Sequence, residues 1–211
     1  MTRVVLATNN TKKLVELRRI LAAAAAAEDR TEQARTIEIV GLSDVAEYPE
    51  PAETESTFEG NALIKAHAAA RATGLPALAD DSGLAVDVLN GMPGVRSARW
   101  AGPQADDDAN NELLLRQLAD VPPQRRAARF VCAVALVLPD GTVHVRRGEM
   151  PGAVITELRG HNGFGYDALF VALGQERTNG ELSAEEKDAI SHRAQALRAI
   201  APVLIDELGA R

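Results

Sequence analysis

Two adjacent carboxylates, a hydroxyl and a glycine, Asp80-Asp81-Ser82-Gly83, stand where one apolar run ends at Leu78-Ala79 and another begins at Leu84. Carboxylates at the rim of a sheet can orient a water as general base or take a hard cation, and both roles need oxygen donors near one point. Side chains of an extended strand alternate between faces, so Asp80 and Asp81 reach one ligand only if the backbone turns between them. Ser82-Gly83 favours such a turn, and a turn between two strands is expected there. The same four residues also suit a solvated turn with no chemistry, and the choice between the two rests on the remainder of the chain.

Four other stretches carry candidate chemistry. Thr8-Asn9-Asn10-Thr11-Lys12-Lys13 is a polar loop between an apolar run and a helical pattern. Amides at such a helix start, with Lys12 or Lys13 adding positive charge, can hold an anion. The loop has neither the G-x-x-x-x-G-K-[ST] nor the G-x-G-x-x-G pattern, so it is neither of the common nucleotide loops. Glu47, Glu50, Glu53 and Glu55, punctuated by Pro49 and Pro51, form an acidic loop that is either solvated or a source of metal ligands. Gly160-His161-Asn162-Gly163-Phe164-Gly165-Tyr166-Asp167 gathers glycine around two of the few aromatics, as a loop does that lays amides and a ring against a flat ligand or anchors itself to a core. Ser191-His192-Arg193 places two donors at the start of the last helix, a surface feature or a ligand contact.

These residues need a frame. The spacing predicts a strand over residues 3–7, a helix from Leu14 that the alanine run 22–27 extends or interrupts as a surface insertion, and a strand over 36–42. Ser56-Thr57-Phe58-Glu59 has the form of a capping box for a helix with Phe58, Ala62, Ala66 and Ala69 on one face, ending at Gly74 before Pro76, with Lys65 off that face. A short strand runs into Asp80, and Leu84 to Leu89 with Asn90-Gly91 suggests a hairpin. Residues 106–118 read as a helix with an acidic first turn. Two strands, 126–138 and 142–150, flank Pro139-Asp140-Gly141 as a hairpin, and Ser183-Ala184-Glu185-Glu186 caps a helical turn that carries Lys187. The last helix runs past Leu197, Ile200 and Leu204 with a kink expected at Pro202.

The bulk numbers bound what this frame can do. With 211 residues, 46% of them hydrophobic, the chain suffices for a single domain with its own core. A formal charge of -7 argues against a partner gripped through duplex phosphates, so no nucleic acid is expected. An acidic protein that binds a polyphosphate needs a metal ion and a few local cations to offset repulsion. Cys132 is the one cysteine, which excludes an internal disulfide and suits a reducing compartment. Residues 130–138 form the longest strongly apolar run, far short of the roughly 20 residues of a membrane span, and Met1-Thr2-Arg3 leads straight into Val4-Val5-Leu6. A cytoplasmic protein without membrane contact is the expectation.

Taken jointly, Thr8-x-Asn10-x-x-Lys13, Glu53-Thr54-x-x-Thr57-Phe58-x-x-Asn61-Ala62-x-x-Lys65-Ala66, Ala79-Asp80-Asp81-Ser82-Gly83-Leu84, Pro93-Gly94-Val95-x-Ser97-Ala98-Arg99, Gly163-Phe164-Gly165-Tyr166-Asp167 and Ser191-His192-Arg193 resemble the inosine/xanthosine triphosphate pyrophosphatase (Ham1-like) family. The motifs keep the family's order and spacing over nearly the whole chain. Departures are Asn9 and Glu55 where the family usually has Gly, Gly60 where it usually has Glu, and the alanine-rich segment 22–33.

The resemblance implies an α/β fold, a curved mixed β-sheet with flanking helices in two lobes around a central cleft, forming one pyrophosphatase domain over residues 1–211 and usually a homodimer. It implies hydrolysis of ITP, dITP and XTP to the monophosphate and pyrophosphate. Residues Thr8, Asn9, Asn10, Thr11, Lys12 and Lys13 would wrap the phosphates, with Lys65 and Ser82 beside them. Glu53 and Asp81 would hold Mg²⁺, and Asp81, or a water it orients, would be the catalytic base, with Asp80 in a supporting position. Phe164, Gly165, Tyr166 and Asp167 would line the purine pocket, while Lys187, His192 and Arg193 present donors to a 6-oxo group. Two other readings stand beside this one: a pyrophosphatase for other nucleotides, as in the related septum-formation inhibitor (Maf-like) family, and a nucleotide-binding regulator without turnover.

Overall fold

The computed structural model describes residues 1–8, 11–27 and 29–209. In chain order the elements are β1 (Thr2–Leu6), α1 (Thr11–Ala27), α2 (Thr31–Arg35), β2 (Ile37–Val40), α3 (Phe58–Thr73), β3 (Ala77–Val86), α4 (Asp107–Gln117), β4 (Ala127–Val137), β5 (Val143–Val154), β6 (Phe170–Ala172), α5 (Ala184–Ile190) and α6 (His192–Leu208). The strands form one six-stranded sheet in the order β2-β1-β3-β4-β5-β6. It is mixed: β1 lies parallel to β2 and to β3, with Leu6 opposite Leu78, whereas β5 and β6 are antiparallel, with Gly152 opposite Ala172. The expected α/β class with a mixed sheet and helices is therefore met.

The chain divides into two compact units. The first comprises residues 1–81, 133–147 and 194–211, the second residues 82–132 and 148–193. In the first unit β1 buries Val4, Val5 and Leu6, and α1 buries Leu17, Ile20, Leu21 and Ala25. The alanine run is thus a continuation of α1, one of its members fully enclosed. Helix α3 presents Ala62, Ala66 and Ala69, all without exposed surface, and these short side chains let a helix approach its neighbours closely. Its end follows the expected pattern, with Gly74 at φ 67 and its amide on the Ala70 carbonyl. In the second unit Leu84, Val86, Leu114, Leu118, Phe130, Met150, Tyr166, Leu169 and Phe170 belong to one core cluster.

Three local expectations are corrected. No turn occurs at residues 80–83: β3 runs unbroken from Ala77 to Val86. Gly83 serves close approach instead, since a Cβ there would overlap Ser97 Oγ and the Gly94 carbonyl. Beyond Val86 the chain does not form a hairpin but a tight loop, with Asn90 at φ 53, Gly91 at φ 83 and a single bridge from Ala85 to Pro93. The cap of α3 is Thr57 rather than Ser56: its side chain accepts from the Gly60 amide at 3.1 Å, while Glu59 accepts from Arg147 Nη1 at 2.7 Å. The hairpin at residues 138–142 is as expected, closed by the Leu138 amide on the Thr142 carbonyl, and β5 extends beyond Met150 to Val154. Among the described residues no helix is long and apolar enough to cross a membrane.

Candidate functional site

The continuous strand through Asp80 and Asp81 obeys the alternation of side chains, and each carboxylate has a different cation. Asp80, 6% exposed, accepts from Lys13 Nζ at 2.6 Å. Lys13 stands in the first turn of α1, which begins at Thr11, so the polar loop is shorter than its sequence suggests. Asp81 is half-buried and accepts from Lys65 Nζ at 3.1 Å and from Asn61 Nδ2 at 3.3 Å. Asn61 and Lys65 are four residues apart on α3 and therefore share a face. Lys65 Nζ also donates to Glu53 Oε1 at 3.0 Å, so two carboxylates from separate segments converge on one ammonium.

The charges shape one another. Burial pushes the Asp81 carboxyl above the usual carboxylate range; Lys65 opposes this, and Glu53 adds to it by repulsion. Burial alone would lower Lys65, but Asp81, Glu53 and Asp80 outweigh it and raise the ammonium above its ordinary value. Lys65 thus faces the two carboxylates of Glu53 and Asp81, and Lys13 faces that of Asp80. The donor set suits a small divalent cation: carboxylate oxygens are hard ligands, and Mg²⁺ commonly takes one or two of them and completes its shell with water and phosphate oxygens. Among the described residues no group of three or more metal-ligating side chains forms.

The two departures that the resemblance marks at Glu55 and Gly60 share one space. A Cβ on Gly60 would come within 2.6 Å of Glu55 Cβ, so the glutamate at 55 occupies the space that a side chain at 60 would need. Gly60→Glu is expected to cost about 1–3 kcal/mol from overpacking. The double change Glu55→Gly, Gly60→Glu recovers most of it, and a thermal melt of the three variants reads the coupling.

The second unit holds the aromatic loop. Phe164 is 72% exposed. Its backbone is set by Gly163 and Gly165, both in the left-handed region at φ 77 and φ 60, and by the Phe164 amide on Asp167 Oδ2 at 3.0 Å. Asp167, 2% exposed, also accepts from Lys187 Nζ at 2.5 Å and from Asn179 Nδ2 at 3.2 Å. The Lys187 ammonium sits 5.0 Å from the centroid of the Phe164 ring, a cation–π distance. Tyr166 is buried and anchors the loop through its hydroxyl, which donates to the Ser97 carbonyl at 2.8 Å; burial pushes the phenol well above its ordinary value. His192 stacks on Phe130 with centroids 5.0 Å apart, and burial pushes the Arg193 guanidinium down to about 10, still a cation at neutral pH.

The structure thus brings Glu53, Lys65 and Asp81 together in the first unit, where Lys13 pairs separately with Asp80. In the second it joins Phe164, Asp167 and Lys187, with Gly165 and Tyr166 in the same loop, and it sets His192 and Arg193 at the start of α6. Ser82 follows Asp81 on β3 at the first residue of the second unit. Asn9, Asn10 and the side chains of Thr11 and Lys12 lie outside the described residues, and Thr8 ends β1's extension with its amide on the Leu6 carbonyl. Sequence reasoning gave no role to Asn61, although its four-residue spacing from Lys65 was a usable signal, nor to Asn179, for which no local signal existed.

The mixed α/β fold, with a carboxylate–lysine cluster in one unit and an exposed ring beside the Lys187 ammonium in the other, is that of a family of hydrolases acting on nucleoside triphosphates. The chain belongs to the Ham1 family, whose model matches residues 4–203. It is 57% identical to a protein of Cutibacterium acnes named dITP/XTP pyrophosphatase, covering 100% of both chains. Among solved structures it is similar to the Staphylococcus aureus Ham1 protein, at 36% identity and a TM-score of 0.85 over 98% of this chain and 100% of that one. It is also similar to a nucleoside-triphosphatase / dITP/XTP pyrophosphatase from Mycobacterium abscessus, at 50% identity and a TM-score of 0.78 over 95% and 100%.

Proposed function

We propose that this chain, as one pyrophosphatase domain, hydrolyses deaminated purine nucleoside triphosphates, ITP, dITP and XTP, to the monophosphate and pyrophosphate. The observation that carries the reading is the convergence of Glu53 and Asp81 on Lys65. Glu53 and Asp81 would hold Mg²⁺, which when bound neutralises charge on the phosphate oxygens. Lys13, Lys65, Ser82 and the loop over residues 8–12 bind the triphosphate. Asp81 orients a water and takes its proton as the oxygen attacks the α-phosphorus; the bond from that phosphorus to the bridging oxygen breaks, and pyrophosphate leaves with the electron pair.

Phe164 stacks on the purine, and the loop to Asp167 lines its edge. Lys187, His192 and Arg193 offer donors to a 6-oxo group. A 6-amino purine would set donor against donor, a mismatch of about 1–3 kcal/mol for each group left unpaired. Retention of both carboxylates and both lysines favours turnover over a regulator that only binds. A cytoplasmic homodimer belongs to the same reading.

The test is pyrophosphate release with Mg²⁺ across ITP, dITP, XTP, ATP, GTP, dTTP and UTP. The expected result is turnover of the first three and rates at least about tenfold lower for ATP and GTP. Preference for dTTP or UTP would move the chain to the Maf-like alternative, and binding without release would make it a regulator.

A further inference from the structure

Phe164 is too exposed for packing to fix its ring, so beside the Lys187 ammonium 5.0 Å from its centroid the ring depends on how the backbone on either side is held. Helix α4 supplies that constraint. Asp107 Oδ2 accepts from the Gly165 amide at 2.7 Å, and Asn111 Nδ2 donates to the Gly165 carbonyl at 2.9 Å, so one helix face grips both polar groups of the residue that follows the ring. The helix is itself fixed: Asp106 caps it through the Ala109 amide, Asn110 bonds the Ala98 carbonyl and the Ala101 amide, and Leu114 lies in the core of this unit. Asn111 is 4% exposed and its Oδ1 has no hydrogen-bond partner among the described residues. An apolar side chain would serve packing better at such a position, so the bond to Gly165 is what an asparagine there provides.

We propose that Asp107 and Asn111 are positioning residues for base recognition, holding Gly165 so that the Phe164 ring meets the purine at a fixed angle. The inference rests on the reading of Phe164 as the purine platform. Neither residue touches the reacting phosphates, so their loss acts on binding of the base and leaves the chemical step alone.

The test compares Asp107→Ala, Asp107→Asn and Asn111→Ala with the wild type in three measurements: hydrogen exchange at the Gly165 amide, kcat and KM for ITP, and inhibition by inorganic pyrophosphate, which has no base. Asp107→Ala and Asn111→Ala should exchange faster at Gly165 and raise KM about tenfold, the scale of one lost stacking contact. Their kcat and pyrophosphate inhibition should stay at wild-type values, and Asp107→Asn, which keeps an oxygen acceptor, should restore KM. Variants that melt with the wild type but keep its KM, or that lose pyrophosphate inhibition in equal measure, overturn the proposal. If the wild type turns over no purine triphosphate, the reading of the purine platform is what fails. In that case unchanged Gly165 exchange in Asp107→Ala overturns the clamp, and faster exchange upholds it.

Discussion

Asp81→Asn is expected to lower kcat about 10²–10⁴-fold, the range spanned by loss of a positioned general base. KM should change far less, since Lys13 and the Phe164 loop remain. The same variant should melt no lower than the wild type at neutral pH without added metal. Asp81 is raised above the ordinary carboxylate range by burial, against the opposing pull of Lys65 and with repulsion from Glu53. A carboxyl raised on folding disfavours the fold when ionised: the penalty is present above its folded pKa and relieved as pH falls through it. Asparagine keeps the shape without the charge, its one oxygen accepting from Asn61 while Lys65 keeps Glu53, so any gain in melting temperature should shrink as the pH is brought down from 7 toward 4. Activity lost with stability kept places Asp81 in the chemistry. An Asp81→Asn enzyme with near wild-type kcat would take the base role from it.

At Asp80-Asp81-Ser82-Gly83 distant contacts override local turn preference. Aspartate, serine and glycine carry strong local turn preference, yet here two lysines from distant elements neutralise the carboxylates, and Ser97 with Gly94 occupies the space over Gly83. None of those partners is visible within the window in which turn preference is judged. The cap of α3 moved for the same reason: Glu59, the second half of the apparent box, is held by Arg147, 88 residues away. Elements whose signal is periodic and long, α1, α3 and the β4–β5 hairpin, were legible because each buries its own stripe or run. Glu53, Lys65 and Asp81, which the structure joins, were singled out through the family pattern and chemical type. The Gly165 grip was not, because an aspartate and an asparagine in the first turns of a helix look like ordinary helix-start residues until the loop they hold is in place.

Lys65→Met is the sharper test of how the first unit is built. The ammonium is mostly buried, with a side-chain exposure of 14%, and lies between Glu53 and Asp81 at 3.0 and 3.1 Å. Removing it leaves two carboxylates facing each other with Asn61 as the remaining donor to Asp81 among the bonds described here, and the expected loss is about 2 kcal/mol, within the range for stranding a buried polar partner. The pH dependence gives the cause away. Lys65 has its pKa raised on folding, so its contribution is fully present below the unfolded lysine value and is lost as pH rises through the folded one. In the variant Asp81 loses the ammonium that opposes its rise, and its penalty applies above its folded pKa and fades as pH falls. The melting deficit of Lys65→Met should therefore be larger at pH 8 than at pH 5, and Mg²⁺ at pH 8 should recover part of it by replacing the missing positive charge. Turnover should still fall about 10²–10³-fold with Mg²⁺ present, because the cation proposed to meet the phosphates is gone. A deficit equal at both pH values and indifferent to Mg²⁺ would mean that the lysine is there for its packed stem, and that Glu53 and Asp81 do not form a cation site.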